Sequence, residues 1–262
     1  MVISLARNLK GRDFVVGDIH GCFDFLDEAL AHLKFNPKRD RLISVGDLVD
    51  RGPLSDKALD YLSKPWFFAV RGNHEQIFMR LVDQDGTANH ALIDAQHSSN
   101  GFGWIKKTPK ALLKKMRAAF ANLPYVLETE SDKGLVGFVH AEVPFGYSWS
   151  EVKAAVLSGD EHVKNHLLWS RKREREKDDT GVEGLYRLYV GHTIQSHAVL
   201  MLGNCFYIDT GAFARHRIET KDNPDYGLTL VQLTALKESF NQNMQLKSQG
   251  RIRIICDRKL RP

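Results

Sequence analysis

The stretch Phe14-Val15-Val16-Gly17-Asp18-Ile19-His20-Gly21 decides how the rest of the chain is read. Its three apolar residues, two of them β-branched, read as a buried strand. The strand runs straight into glycine and two side chains that bind protons or metals. Phe23, Leu26, Leu30 and Leu33 then fall at helical spacing. A second apolar run, 42–45, ends in Gly46-Asp47, and Pro53 breaks the chain before a helix over 55–62 that Ser55 is placed to cap. A third run, 66–70, ends in Arg71-Gly72-Asn73-His74. This βαβαβ alternation predicts parallel strands packed against helices.

Beyond it, 76–123 reads as mostly helical with a break at Asn100-Gly101-Phe102-Gly103, an insertion able to wall one side of a cleft. Strands are predicted over 135–139, ending at His140, and over 186–190, ending at Gly191-His192. Gly203-Asn204 between 198–202 and 206–208 signals a hairpin, and 228–233 is a last strand. With neither repeat nor low-complexity linker, the expectation is one domain over 1–235 and a basic tail over 236–262.

Composition fits a globular chain with a sizeable core: 262 residues, 43% hydrophobic and 26% charged. No apolar run reaches the ~20 residues that span a bilayer, and residues 1–12 do not read as a secretory signal. Three cysteines without metal-ligand spacing fit a reducing, cytoplasmic setting. From 236 to 262, seven Lys/Arg stand against two acids, a surplus equal to the formal +5 of the whole chain. The rest of the chain gives no electrostatic reason to bind nucleic acid, and the tail is expected to be solvated.

Asp18 with His20, Asp47, Asn73, His140 and His192 all stand at the ends of predicted strands. Ligands of α/β sheets gather there because the loops converge. A lone strand-end Asp is more often a turn former, and a lone His more often packs or faces solvent; five strand ends of the same polarity are hard to explain that way. Carboxylate, amide oxygen and imidazole without thiolate suit Mn, Fe, Zn or Mg. Two such ions ~3.5–4 Å apart need a bridging anion, for which Asp47 is the natural candidate.

Taken together, Gly17-Asp18-Ile19-His20-Gly21, Gly46-Asp47-Leu48-Val49-Asp50-Arg51-Gly52 and Gly72-Asn73-His74-Glu75 resemble the three signatures of the PPP-type metallophosphoesterases. Val139-His140-Ala141 and Gly191-His192-Thr193 complete the set in order, and the likeness is closest to small bacterial and phage Ser/Thr protein phosphatases. It runs from about residue 14 to 233. The resemblance implies a calcineurin-like α/β fold, a central β-sandwich of mixed sheets flanked by helices. It further implies two divalent metal ions, Mn2+ foremost. Asp18, His20 and Asp47 would hold one, and Asp47, Asn73, His140 and His192 the other. It makes His74 the general acid oriented by Asp50, and Arg51 and Arg171 the clamps on phosphoryl oxygens; Arg171 follows from Trp169-Ser170-Arg171. The implied substrate is a phosphoprotein or phosphopeptide.

Some positions depart from the family pattern. Glu142 stands where such relatives often have Asp, and a charged stretch over 212–226 replaces a tight turn. The rest of the charge run 171–179 reads as surface. His90, His97, His162, His166, His197 and His216 match no ligand motif and are expected at the surface or in packing, and Cys22 is expected to be a small buried residue. The role of Asn100-Gly101 is not evident from the sequence. Two other functions compete. A symmetrical dinucleoside tetraphosphate hydrolase is a cousin that typically lacks the Asp of Asp-Arg-Gly and reads Asn-His-Asp in its third motif. A non-catalytic binding protein of the same fold would be expected to have lost ligands.

Overall fold

A computed structural model describes residues 1–96, 100–196, 199–233 and 251–256. Eleven strands in these residues form two sheets. The first, in the order β11-β10-β2-β3-β4, contains β2 (Asp13–Val16), β3 (Arg41–Ser44), β4 (Phe67–Ala69), β10 (Leu228–Gln232) and β11 (Ile252–Cys256). As the alternation requires, β2, β3 and β4 are parallel, while β10 runs antiparallel to β2. The second sheet, in the order β1-β5-β6-β7-β9-β8, contains β1 (Val2–Leu5), β5 (Val126–Ser131), β6 (Gly134–Phe138), β7 (Arg187–Val190), β8 (Leu200–Leu202) and β9 (Cys205–Tyr207).

The period of two along each strand divides the core into layers. Val15, Ile43 and Val231 of the first sheet pack with Leu127, Val136, Phe138, Tyr189 and Phe206 of the second, so the sheets face each other. Phe14, Val16, Leu42, Phe67 and Leu230 point the other way. They pack under helices α1 (Phe23–His32), α2 (Ala58–Leu62), α3 (Asn73–Leu81) and α5 (Lys110–Ala121), with the short α4 (His90–Ala95) beside them. The outer face of the second sheet is covered by α6 (Trp149–Ser158) and α7 (Glu161–Trp169) through Trp149, Val152, Val163 and Leu167. Ser148 and Glu151 cap α6 reciprocally, and Asp160 caps α7. The sandwich of mixed sheets flanked by helices is the expected fold.

Several expectations need correction. Ile252–Cys256, inside the stretch read as a solvated tail, pairs in parallel with β10, because its alternating Ile252 and Ile254 cover α1 and the core beneath it. Ser55 does not cap a helix over 55–62. It opens a 3₁₀ turn, Ser55–Lys57, with its hydroxyl turned inward to accept the backbone N–H of Asp50 at 2.8 Å, and α2 begins only at Ala58. The hairpin at Gly203 is formed by β8 and β9; Ala198, its first expected residue, lies outside the described residues, as do His97 and His197. The run 171–179 is not all surface: Arg173, in the short helix α8 (Lys172–Glu176), is buried, paired with Asp178 and stacked over Phe145. Among the described residues no helix is long and apolar enough to cross a membrane.

Candidate metal centre

All six expected ligands meet at one edge of the sandwich, and all are buried. Asp18 and His20 lie in the loop after β2, Asp47 after β3, Asn73 at the start of α3, His140 after β6 and His192 after β7. The two sheets are tied together there. The N–H of His192, after β7, reaches both oxygens of Asp18, after β2, at 3.1 Å, while Gly191 donates its N–H to the carbonyl of His140 at 2.7 Å and so joins two strand ends of the second sheet. A side chain at Gly191 would put its Cβ 1.9 Å from the Asp18 carboxylate, so only glycine permits this approach.

Of the seven described non-glycine residues at positive φ, five belong to the site: His20, Asp47, Asp50, Arg51 and His192, at 45–72°. L-residues adopt this conformation at a cost of about 1–3 kcal/mol each, and such strain gathers where function fixes the backbone. Carbonyl and carboxylate bridges hold it here. The Asp47 carbonyl accepts N–H groups from Ile19 and His20 at 3.1 and 2.8 Å. Glu75, reaching back from the first turn of α3, accepts those of Asp47 (3.0 Å), Leu48 (2.8 Å) and Gly72 (2.8 Å). Burial and the charge of Asp47 push Glu75 up to about 7.

The imidazoles are arranged as ligands. His20 and His140 each spend Nδ1 on a backbone carbonyl, Val49 at 2.9 Å and Val45 at 2.8 Å, and His192 spends Nε2 on the carbonyl of Trp169 at 3.2 Å. A neutral imidazole that donates at one nitrogen presents a lone pair at the other. The free Nε2 of His140 therefore faces the Asn73 side-chain oxygen at 2.8 Å and Asp47 Oδ1 at 3.3 Å, and Nδ1 of His192 faces the same Asn73 oxygen at 2.9 Å. Acceptors pointed at acceptors in a buried place call for a cation between them. Burial drives His20, His140 and His192 below the ordinary histidine range, favouring the neutral form that binds metal. Asp18 is raised by burial and by the nearby charges of Asp209 and Asp47, and Asp209 Oδ2 is buried without a hydrogen-bond partner. This crowding of negative charge fits the same cation. Two clusters share Asp47: one with His140 and His192, the other with His20 and His74. Asp18 lies beside the second, 3.9 Å from His20 Nε2.

His74 differs from the other three. Its Nδ1 lies 2.7 Å from Asp50, its Nε2 faces Asp47 Oδ2 at 3.9 Å, and its backbone N–H donates to Asp47 Oδ1 at 2.9 Å. Burial works against an imidazolium, but Asp47 and Asp50 outweigh it, and His74 is held above the ordinary histidine range. Arg51 donates to His20 Nε2 at 2.8 Å with its guanidinium over the ring of Phe213; Arg171 donates to the His192 carbonyl at 3.0 Å.

Four participants were not foreseen. Phe213, from the start of the 212–226 stretch, packs edge-on against His20. Asp209 follows β9, a strand end the sequence also displays. Phe102 packs at a tilt against the ring of His74, and Trp104 donates to Asp50 at 2.6 Å. Glu142, foreseen only as a departure, accepts Ser170 Oγ, the N–H groups of Arg173 and Glu174, and the Tyr207 hydroxyl. Cys22 is buried, as expected.

Oxygen and imidazole donors in two clusters around a shared carboxylate, with an Asp–His pair alongside, are the donor set of a binuclear metallohydrolase. The chain belongs to the calcineurin-like phosphoesterase family, whose model matches residues 14–224. It is 35% identical over 210 residues to serine/threonine-protein phosphatase 1 of Salmonella typhimurium, covering 76% of this chain and 86% of that one. A symmetrical bis(5'-nucleosyl)-tetraphosphatase of Pseudomonas syringae is 34% identical over 101 residues, 36% of this chain and 35% of that protein. Among solved structures, a protein serine/threonine phosphatase from Saccharomyces cerevisiae superposes with a TM-score of 0.53 at 18% identity, over 81% of this chain and 72% of that one.

Proposed function

We propose that this phosphoesterase hydrolyses phosphomonoesters on serine and threonine of proteins. Asp18, His20 and Asp47 would hold one divalent ion, and Asp47, Asn73, His140 and His192 a second, with manganese the first choice for these hard and borderline donors. When bound, such a pair lowers the pKa of a water and neutralises charge on the phosphoryl oxygens. Arg51 and Arg171 supply planar donor forks for those oxygens.

The observation that carries the choice of substrate is the 2.7 Å pair of Asp50 and His74. A serine or threonine alkoxide leaves poorly unless it is protonated as the P–O bond breaks. His74 gives its Nε2 proton to that oxygen while Asp50 stays a carboxylate and steadies the imidazolium. The attacking water forms the new P–O bond and releases a proton to solvent, from which His74 is recharged. Splitting a phosphoanhydride has less need of such an acid, because a nucleotide phosphate leaves without one. The 35% identity to a named serine/threonine phosphatase supports the same reading. The tetraphosphatase reading draws on a shorter likeness, about a third of the chain. Two buried free thiols, Cys22 and Cys205, suit a reducing, cytoplasmic setting.

The test is turnover of a phosphoserine peptide beside diadenosine tetraphosphate, with manganese supplied to both. Higher kcat/KM on the peptide is expected; clear preference for the dinucleotide replaces this reading with the other.

A further inference from the structure

The Asn100-Gly101 break, without evident purpose in the sequence, leads into a 3₁₀ turn, Phe102–Lys107, that closes on the Asp50–His74 pair from the insertion side. Asp50 is fully buried, and its two oxygens have different partners: Oδ2 holds His74 Nδ1 at 2.7 Å, and Oδ1 accepts the indole N–H of Trp104 at 2.6 Å. The neighbouring residues hold that geometry. Gly101, at φ 76°, lies so close to the backbone of Arg51 that an added Cβ would stand 2.4 Å from its nitrogen. Phe102 packs at a tilt against the His74 ring at 5.6 Å, and the Trp104 ring stacks on Phe78 at 5.8 Å.

We propose that Trp104 is a positioning residue for protonation of the leaving group, acting through Asp50 on His74. An indole N–H only donates, so it can bind the carboxylate but cannot compete for the proton that Asp50 holds on His74 Nδ1. With one oxygen pinned, the Asp50 plane is fixed. The imidazole it steadies then aims Nε2–H in a single direction. The inference rests on the acid role of His74 proposed above. It gives the Gly101–Trp104 segment a function: a wall of the cleft that also sets the proton donor.

Trp104→Phe keeps the ring and its stacking but removes the N–H. It should be compared with wild type, His74→Asn and the double variant on two substrates. One is a phosphoserine peptide, whose alkoxide needs a proton. The other is p-nitrophenyl phosphate, whose phenolate leaves without one. Expected for Trp104→Phe is a fall in kcat of about 10–100-fold on the peptide, part of the roughly 10²–10⁴-fold that general acids contribute. On p-nitrophenyl phosphate it should lose only a few-fold, and Trp104→Phe should cost little more once His74→Asn is present. Equal losses on both substrates, or full additivity in the double variant, overturn the inference. Should His74→Asn itself fail to distinguish the substrates, the acid reading falls and takes this one with it. Should Trp104→Phe not fold, the wild-type protein labelled with 15N at its four indoles serves instead: Asp50→Asn must shift the Trp104 N–H signal, and an unmoved signal overturns the contact.

Discussion

Glu142 accepts the backbone N–H of Arg173 at 3.0 Å, and through that bond the strand end carrying His140 holds the start of the helix next to Arg171. Ser170, Glu174 and Tyr207 donate to the same buried carboxylate, which occupies both its oxygens. Glu142→Gln keeps the shape but turns half of this acceptor into a donor. Buried donors left unsatisfied cost about 1–3 kcal/mol, and each kcal/mol lowers Tm by about 2–4 °C in a chain of this size. Arg171 should also lose its fixed place, so KM for a phosphopeptide should rise several-fold while kcat changes less. Thermal melts and steady-state kinetics check both; a lower Tm with KM unmoved would separate Glu142 from Arg171.

Asp40 gives a pH dependence. Burial alone would raise its carboxyl, but the Arg12 guanidinium at 2.6 Å and the N–H groups of Asn36 and Arg12 outweigh burial and hold it below the usual range. A carboxyl depressed in the folded state adds stability above its unfolded value, ~4, and loses it as pH falls through the folded value. Asp40→Asn should therefore be about 1–3 kcal/mol less stable than wild type near neutral pH. The gap should narrow as the pH drops below ~4. Urea midpoints at neutral and acid pH measure it, and a gap of constant size would contradict the assignment.

Phe213 carries the guanidinium of Arg51 at 4.6 Å and meets the His20 ring at 5.4 Å. Cation–π contacts of this kind are worth about 0.5–2 kcal/mol. Phe213→Ala should loosen Arg51 and raise KM for phosphopeptide several-fold, with a smaller change for Phe213→Tyr. Equal effects of the two variants would mean that ring stacking is not what holds Arg51.

The site was more legible than its surroundings, for a physical reason. The expected ligands stand where strands end and the backbone turns, so each carries a local mark: Asp18, Asp47, Asn73 and His192 come directly after a glycine that closes a short apolar run, and His140 directly after the run itself. Strands β1 and β5 carry no such mark. In β5 the buried Glu128 and Thr129 interrupt the apolar pattern. Only the fold supplies Ser4, the Trp149 indole and Lys153 to satisfy Glu128. Arg173 read as surface for the same reason, since its partner Asp178 and the ring of Phe145 meet it only after packing. Trp104 and Phe213 reach the site from segments without ligand chemistry, and aromatic residues at a distance in sequence do not announce a polar partner. Asp209 alone of the unforeseen participants carries a local signal, another carboxylate just past a strand.

The shared place of Asp47 separates the loss of metal from the loss of the acid. Its carboxylate stands in both ligand clusters and among four imidazoles. Asp47→Asn removes the one charge the two clusters share. Metal per chain after manganese loading should fall below two, and the rise in Tm that excess manganese gives the wild type should shrink, since stabilisation by a bound ion follows its affinity. His74→Asn removes a group whose Nδ1 is committed to Asp50. Its metal content and manganese-dependent Tm should match wild type, with turnover of a phosphoserine peptide lower by roughly 10²–10⁴-fold. Elemental analysis and melts on the same preparations decide the matter without recourse to rates. An Asp47→Asn protein that keeps two ions would remove Asp47 as the bridge. Metal loss in His74→Asn would make His74 a ligand, as its place beside His20 and Asp47 also allows.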